Sequence, residues 1–247
     1  MSALRIERDG AVLRIAMARP ERRNAFDAAL IGELASAFAD VGDARAVLLT
    51  GDGPSFSAGA DVEWMRSSVE LSYDENVADA LRLRAMLDAI DGCPCPVVSR
   101  VQGHALGRGC GLVACCDVVV AEPSAVFGFS EVKLGIVPAV ISPFALAKIG
   151  TSAARRFFVT GERFTAAVAL RIGLIHEVAE ELDAAVDGIL AELISAGPDA
   201  ARAAKQLART PRTAEETASL IATHRASDEG QEGLRAFLEK RAPTWRK

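Results

Sequence analysis

The chain has 247 residues, and its 28 Lys and Arg against 33 Asp and Glu give a formal charge of −5. This acidic balance argues against a dedicated binder of nucleic acid or of anionic membranes, because such proteins carry an excess of basic side chains. Half of the residues are hydrophobic and a quarter are charged, which is typical of a globular chain rather than a disordered one. At ~150 residues per domain, the length favours one α/β body with an appendage.

No apolar run reaches the ~18 residues that cross a bilayer, and the N-terminal residues lack the pattern of a signal peptide. We therefore expect a cytoplasmic protein. The five cysteines all lie between Cys93 and Cys116, and we expect them to be small buried hydrophobes. Only one residue separates Cys93 from Cys95, where zinc knuckles have two, so no metal site is predicted.

The predicted elements begin with a β-hairpin over residues 3–17, with Asp9 and Gly10 at its turn. A helix capped by Asp27 is predicted over residues 26–39. Further along, short runs that are apolar on both faces predict parallel strands, and helical spacing predicts the crossovers between them. These strands are predicted at 46–50, 97–101 and 118–121, and the helices at 76–90 and 108–116. From residue 142 onward the pattern is almost wholly helical.

Three glycine-bearing segments, residues 55–61, 101–111 and 127–138, each follow or flank a predicted strand. Glycine lets backbone approach a ligand closely, and it leaves N–H groups free to face that ligand. Two of the segments lead into helices, whose N-terminal amides suit a developing oxyanion. Each segment alone is more typical of an ordinary strand-to-helix turn.

Together, in this order, the three segments resemble the crotonase superfamily of enoyl-CoA hydratases and isomerases. Residues 18–25, 160–164, 172–178 and 232–241 match the same family, so the resemblance covers nearly the whole chain. It implies an α/β fold with a crotonase-like ββα spiral core over residues 1–197. It also implies a C-terminal helical trimerisation region, 198–247, and a homotrimer or a dimer of trimers.

The resemblance implies that the backbone N–H groups of Ala60 and Arg108 bind the thioester carbonyl and that Glu131 is the acid and base. The family usually has Gly where this chain has Arg108. The Arg108 side chain therefore either pairs with a carboxylate of the substrate or ends the turn as a solvated side chain. The second glutamate of the family's hydratases falls at Gly111.

With one glutamate, three interpretations of the function stay open. Glu131 can hydrate the double bond alone, or it can move a proton between C2 and C4 as a Δ3,Δ2-enoyl-CoA isomerase. A non-catalytic acyl-CoA-binding paralogue is the third alternative. Residues 109–117 and 130–143 are similar to hydratases of branched or carboxylated enoyl-CoAs, such as the methylglutaconyl-CoA hydratase of leucine degradation and the carboxygeranoyl-CoA hydratase. Hydration of such a substrate is thus the predicted function, with Arg108 or Lys133 binding its remote carboxylate.

The family implies no cofactor beyond the CoA moiety of the substrate. Because CoA is strongly anionic, a few local cations are expected to meet its phosphates. By motif position, the CoA contacts are assigned to Arg22, Arg23, Ala58, Val62, Phe237 and Lys240. The last two have i and i+3 spacing, so they are predicted to share one face of the C-terminal helix. The alternative for this pair is that the Phe packs in the core and the Lys faces water.

Overall fold

The computed structural model describes residues 2–246 and shows an α/β fold, as the sequence predicted. The strands are β1 (Leu4–Asp9), β2 (Val12–Met17), β3 (Ala46–Gly51), β4 (Val97–Val101), β5 (His104–Leu106), β6 (Val118–Ala121), β7 (Val126–Gly128), β8 (Arg163–Thr165) and β9 (Glu177–Val178). The helices are α1 (Ala28–Ala39), α2 (Val62–Ser68), α3 (Tyr73–Asp91), α4 (Arg108–Cys115), α5 (Ser142–Thr160), α6 (Ala166–Arg171), α7 (Leu182–Ser195), α8 (Pro198–Arg209), α9 (Ala214–Ala226) and α10 (Asp228–Leu238). Short 3-10 turns occupy Pro20–Arg22, Glu131–Leu134 and Thr244–Arg246.

Six strands form the main sheet in the order β1-β2-β3-β4-β6-β9. The β1–β2 pair is antiparallel and the other four pairs are parallel. The predicted hairpin is confirmed, although its turn lies one residue later than expected, because Asp9 pairs with Val12 across Gly10 and Ala11. A second sheet, β5-β7-β8, stands at the C-terminal end of β4 and carries the loops of the site.

The strands are apolar on both faces because helices cover both sides of the main sheet. Leu49 of β3 belongs to the large core formed with α1, α3 and α4. Its neighbour Leu48 faces the opposite way and packs with Leu182, Val186 and Leu190 of α7. Successive side chains of a strand point to opposite faces, so an unbroken apolar run is what such a two-sided sheet requires.

The C-terminal third differs from the wholly helical prediction. The short strands β8 and β9 interrupt it, and they pair with β7 and β6 respectively. Strands of two or three residues carry almost no periodicity of their own, so only their partners define them. The five cysteines are buried, as predicted, and none of them forms a disulfide. Within residues 2–246, no helix is long and apolar enough to cross a membrane.

Candidate active site

Two of the predicted glycine-bearing segments run side by side at the end of β4. The backbone N–H of Ser57 donates to the carbonyl of His104 at 2.8 Å, and the N–H of Leu106 donates to the carbonyl of Ser57 at 3.1 Å. One segment then reaches α2, whose N-cap residue Asp61 directly follows Ala60, and the other enters α4 at Arg108. Neither the Ala60 amide nor the Arg108 amide has a hydrogen-bond acceptor among the atoms of residues 2–246. The structure thus brings together two unengaged donors.

Two glycines make this close approach possible. Gly59 has a φ of +94°, and a Cβ there would lie 2.8 Å from the carbonyl oxygen of Leu106. Gly107 has a φ of +51°, and a Cβ there would lie 3.3 Å from Oε1 of Glu131. A side chain at either position would combine an unfavourable backbone conformation with a steric contact. Gly107 therefore lets the carboxyl of Glu131 lie directly against the N-terminal end of α4.

Glu131 opens the 3-10 turn that follows β7 and its buried neighbour Phe129. Burial raises the pKa of the Glu131 carboxyl, while its own backbone amide and the charge of Arg108 oppose that rise. The Oε2 atom is buried, and no donor within the described chain reaches it. A desolvated carboxyl with a raised pKa and free lone pairs is suited to taking and returning a proton.

The Arg108 side chain is not solvated, so that alternative is wrong. Its guanidinium carbon lies 3.8 Å from the centre of the Trp64 ring, and its Nη2 lies 3.6 Å from Oδ2 of Asp79. Burial lowers the pKa of the Arg108 guanidinium, while the charges of Asp79 and Glu131 raise it. The other terminal nitrogen, Nη1, is buried and has no hydrogen-bond partner in residues 2–246. The site therefore holds a desolvated cation with one unused edge.

Sequence reasoning missed Asp79, which is only 5% exposed on α3. It shares the buried face of that helix with Leu83, Met86, Leu87 and Ile90. An acidic residue in phase with an apolar helix face is the signal that would have found it, because buried charges need a partner.

The absence of a glutamate at position 111 has a structural counterpart. A Cβ built on Gly111 would lie 2.4 Å from Cγ2 of Ile141 and 2.8 Å from its Cβ. Ile141 is 2% exposed at the start of α5, so it has little room to move. The space that a carboxylate at 111 would need is therefore filled with hydrocarbon.

We expect Gly111→Ala to lower the free energy of unfolding by about 1–3 kcal/mol, because overpacking a filled core forces strain on its neighbours. Gly188→Ala in α7 is the matched control, since a Cβ there meets nothing within 4 Å. The free energy of unfolding of that control should rise by about 0.5–1 kcal/mol, because Ala has a higher helix propensity than Gly. Urea denaturation of the two variants measures both values. Equal stability of the two variants would contradict the steric interpretation.

Four of the predicted CoA contacts lie close to Ala60 in the structure. The Arg22 guanidinium donates to Oδ2 of Asp61 at 3.2 Å and to Oε2 of Glu63 at 2.9 Å. The Arg23 carbonyl accepts from the N–H of Ala58 at 2.9 Å. Val62, the first residue of α2, is exposed. The structure therefore groups Arg22, Arg23, Ala58 and Val62 around the turn that precedes α1 and the start of α2.

The other two CoA contacts are not on a shared helix face, and that prediction is wrong. Helix α10 ends at Leu238, and Lys240 has a left-handed φ of +54° beyond it. Phe237 is 81% exposed, so the alternative that it packs in the core of this chain is wrong too. Lys133, the other candidate for a substrate carboxylate, is exposed and packs beside Gly161 rather than with Glu131. Residues 2–246 contain no group of three or more His, Cys, Asp or Glu arranged for a metal ion.

Two unengaged amides beside one desolvated carboxyl are suited to an enzyme that stabilises a thioester enolate. The sequence profile described as enoyl-CoA hydratase/isomerase matches residues 7–247. The chain therefore belongs to this family, as its motifs predicted, and its enzyme class is enoyl-CoA hydratase.

Three similar proteins illustrate the relationship. A cyclohexa-1,5-dienecarbonyl-CoA hydratase of Thauera aromatica is 33% identical, over 97% of this chain and 95% of its own length. The crystal structure of an enoyl-CoA hydratase from Shewanella pealeana is 38% identical, with a TM-score of 0.94, over 98% of this chain and 96% of that one. The structure of Pseudomonas aeruginosa AtuE is 34% identical, with a TM-score of 0.94, over 99% of this chain and 100% of its own.

Proposed function

We propose that the protein adds water across the 2,3 double bond of an enoyl-CoA whose acyl group is branched or carboxylated, of the 3-methylglutaconyl-CoA type. In this proposal the thioester oxygen accepts hydrogen bonds from the amides of Ala60 and Arg108. These bonds strengthen as the carbonyl becomes an enolate, so they lower the barrier rather than merely binding substrate. The unengaged state of both amides within the described chain carries the proposal.

Glu131 performs both proton transfers in this proposal. The oxygen of water bonds to C3 while Glu131 takes one of its protons, and the π electrons move through C2 into the thioester as an enolate. Glu131 then gives a proton to C2 as the enolate returns to a thioester. Both new bonds form on the face of the alkene that Glu131 occupies. The side chain of Ile141 fills the space beside Gly111 that a second carboxylate would need, which supports a mechanism with Glu131 as the one glutamate.

Arg108 supports the carboxylated substrate. Its guanidinium is nearly buried, with 14% of the side chain exposed, and its Nη1 lacks a hydrogen-bond partner in residues 2–246. Such an atom costs free energy until a ligand satisfies it, and a carboxylate matches the planar donor edge of Arg. A carboxylate on the acyl group, remote from the thioester, provides that acceptor.

We expect Arg108→Met to lower kcat/KM for 3-methylglutaconyl-CoA about 10- to 100-fold, because a hydrogen bond to a charged group contributes about 1.5–3 kcal/mol. The variant keeps the backbone amide, so kcat/KM for crotonyl-CoA, which has no carboxylate, should change much less. Arg66→Met, at an exposed position on α2, is the matched control. Steady-state kinetics on both thioesters measures the ratio. Similar efficiencies of the wild type for the two substrates would remove the carboxylate from the proposal.

A Δ3,Δ2-enoyl-CoA isomerase is the second candidate, and the filled space at position 111 favours it, since isomerisation needs only one base. Product analysis separates the two activities. A 2-enoyl-CoA and its 3-enoyl isomer are each incubated with the protein, and the products are resolved by liquid chromatography. Formation of a 3-hydroxyacyl-CoA supports hydration, whereas a shifted alkene alone supports isomerisation.

We also propose that Arg22, Arg23, Ala58 and Val62 bind the CoA moiety and that the chain assembles as a homotrimer or a dimer of trimers in the cytoplasm. Exposed apolar side chains support an assembly, because burying them against a neighbouring copy would remove apolar area from water. Exposed apolar side chains in the segment 134–137 and on the C-terminal helices include Leu134, Ile136, Val137, Leu207, Ile221, Leu234, Phe237 and Leu238. In a trimer, Phe237 and Lys240 would contact the CoA of a neighbouring copy. Light scattering during size-exclusion chromatography measures the assembly.

A further inference from the structure

Asp79 carries a buried carboxylate that does not cap a helix end. The only other carboxylate among the buried polar residues of the described chain is Asp61, which caps α2 by accepting from two backbone amides. Asp79 lies in the interior of α3 and caps nothing. Desolvating a carboxylate costs several kcal/mol unless a countercharge compensates it. Its countercharges therefore show what the residue does.

Two arginines face Asp79. Arg82, one turn along α3, places Nη2 3.4 Å from Oδ1, but the Arg82 side chain is 60% exposed. An i,i+3 pair with an exposed arginine contributes little, and such an arginine does not require the carboxylate to be buried. Arg108 places Nη2 3.6 Å from Oδ2, and both of these side chains are desolvated. The Arg108 guanidinium is the partner that accounts for the burial of Asp79.

The Arg108 guanidinium has a second carboxylate within electrostatic reach, namely Glu131, whose charge affects the pKa of Arg108. The two groups are not hydrogen-bonded to each other. Nη1 of Arg108 and Oε2 of Glu131 are both buried without a hydrogen-bond partner in the part of the chain that the structure describes. Opposite charges in desolvated surroundings attract strongly, and Arg pairs readily with a carboxylate through two parallel hydrogen bonds. Other contacts must therefore hold the Arg108 guanidinium away from the Glu131 carboxyl.

We propose that Asp79, together with the Trp64 ring, is a positioning device that holds the Arg108 guanidinium away from Glu131, an inference that rests on the proposed role of Glu131 as base. The Trp64 ring fixes the face of the guanidinium, at 3.8 Å, and Asp79 fixes one edge through Nη2. Glu131 then keeps its lone pairs for the proton of water. Arg108 keeps Nη1 for the substrate.

This arrangement explains why an arginine is tolerated beside the catalytic base. A guanidinium paired directly with Glu131 would stabilise the ionised carboxylate and make it a poorer base. The groups that face Glu131 are Arg108 and the buried, neutral thiol of Cys110, both on α4. Asp79 acts on Glu131 only through Arg108. Its effect should therefore disappear when the guanidinium is absent.

A double-mutant cycle tests the proposal on crotonyl-CoA, which has no carboxylate to bind Arg108. Asp79→Asn should lower kcat about 10- to 100-fold and move the acidic limb of the pH–rate profile to lower pH, because Arg108 can then pair with Glu131. In the Arg108→Met background, Asp79→Asn should change neither kcat nor the position of the acidic limb. Asp79→Glu should restore most of the rate, and Arg82→Gln should leave both kcat and the limb as in the wild type.

Titration of the Glu131 carboxyl by carbon-13 NMR, assigned by its loss in Glu131→Gln, provides a readout that needs no turnover. Asp79→Asn should lower the pKa of Glu131, and only while Arg108 is present. An equal loss of kcat in both backgrounds, or an unchanged Glu131 pKa in Asp79→Asn, would show that Asp79 is only structural. If the wild type hydrates nothing while this titration behaves as expected, the proposed function fails and the positioning role stands.

Discussion

Glu131→Gln is expected to lower kcat for hydration about 10³-fold while acyl-CoA binding is retained, because proton transfer by a positioned side chain contributes about 10²- to 10⁴-fold. The loss should lie in kcat rather than in KM, since Gln has nearly the same shape but cannot take a proton from water. Steady-state kinetics gives the rate, and calorimetry with a non-reactive saturated acyl-CoA gives the affinity. The exposed Glu180→Gln is the matched control and should behave as the wild type.

The stability of the same variant separates a lost base from a damaged fold. Burial raises the pKa of Glu131 in the folded protein, so the ionised carboxylate opposes folding once the pH exceeds its ordinary pKa. Glu131→Gln should therefore be more stable than the wild type at neutral pH, with the gain disappearing as the pH falls below about 4.3. Thermal unfolding across this pH range measures the difference.

The activity of the two proteins has a further possible outcome. If the wild type and Glu131→Gln are equally inert on a broad panel of enoyl-CoA substrates, the result favours a non-catalytic acyl-CoA-binding paralogue.

Much of the core of the fold could be predicted from the sequence, because its strands are short apolar runs between helical segments. The predicted strands at 97–101 and 118–121 coincide with β4 and β6, and α4 begins at Arg108 as expected. The errors in the predicted bounds fall where local hydrogen bonding determines the end of a helix. Helix α3 begins at Tyr73 rather than at 76, because Ser72 and Glu75 form a capping box before the apolar face starts.

The site was only partly predictable, for a physical reason. Ala60, Arg108 and Glu131 lie in glycine-bearing segments, so the sequence itself marks them as places of close backbone approach. Asp79 and Ile141 have no such signal, since their importance depends on which residues α3 and α5 bring against α4. Lys240 illustrates the opposite error. Its spacing from Phe237 suggested one helix face, but α10 ends two residues before it.

Replacing the Ala60 amide by an ester is expected to lower kcat about 10²- to 10³-fold, because the loss of one oxyanion donor costs about 2.7–4 kcal/mol in the transition state. Lactate in place of Ala60, introduced by nonsense suppression, deletes the N–H and keeps the methyl side chain. That N–H donates to no atom of residues 2–246, so the fold loses no hydrogen bond with it. A proline at this position would also delete the donor, but it would constrain the backbone before Asp61 as well.

The same exchange at Ala214 is the matched control, because its amide is also unengaged in the described chain and starts a helix, α9, on the exposed surface. The control should keep full activity and stability. The Ala60 ester should bind a saturated acyl-CoA almost as the wild type does, since the missing bond matters most when the thioester oxygen becomes an enolate. A rate equal to that of the Ala214 ester would mean that the Ala60 amide is no part of the oxyanion hole and that the enolate is stabilised elsewhere.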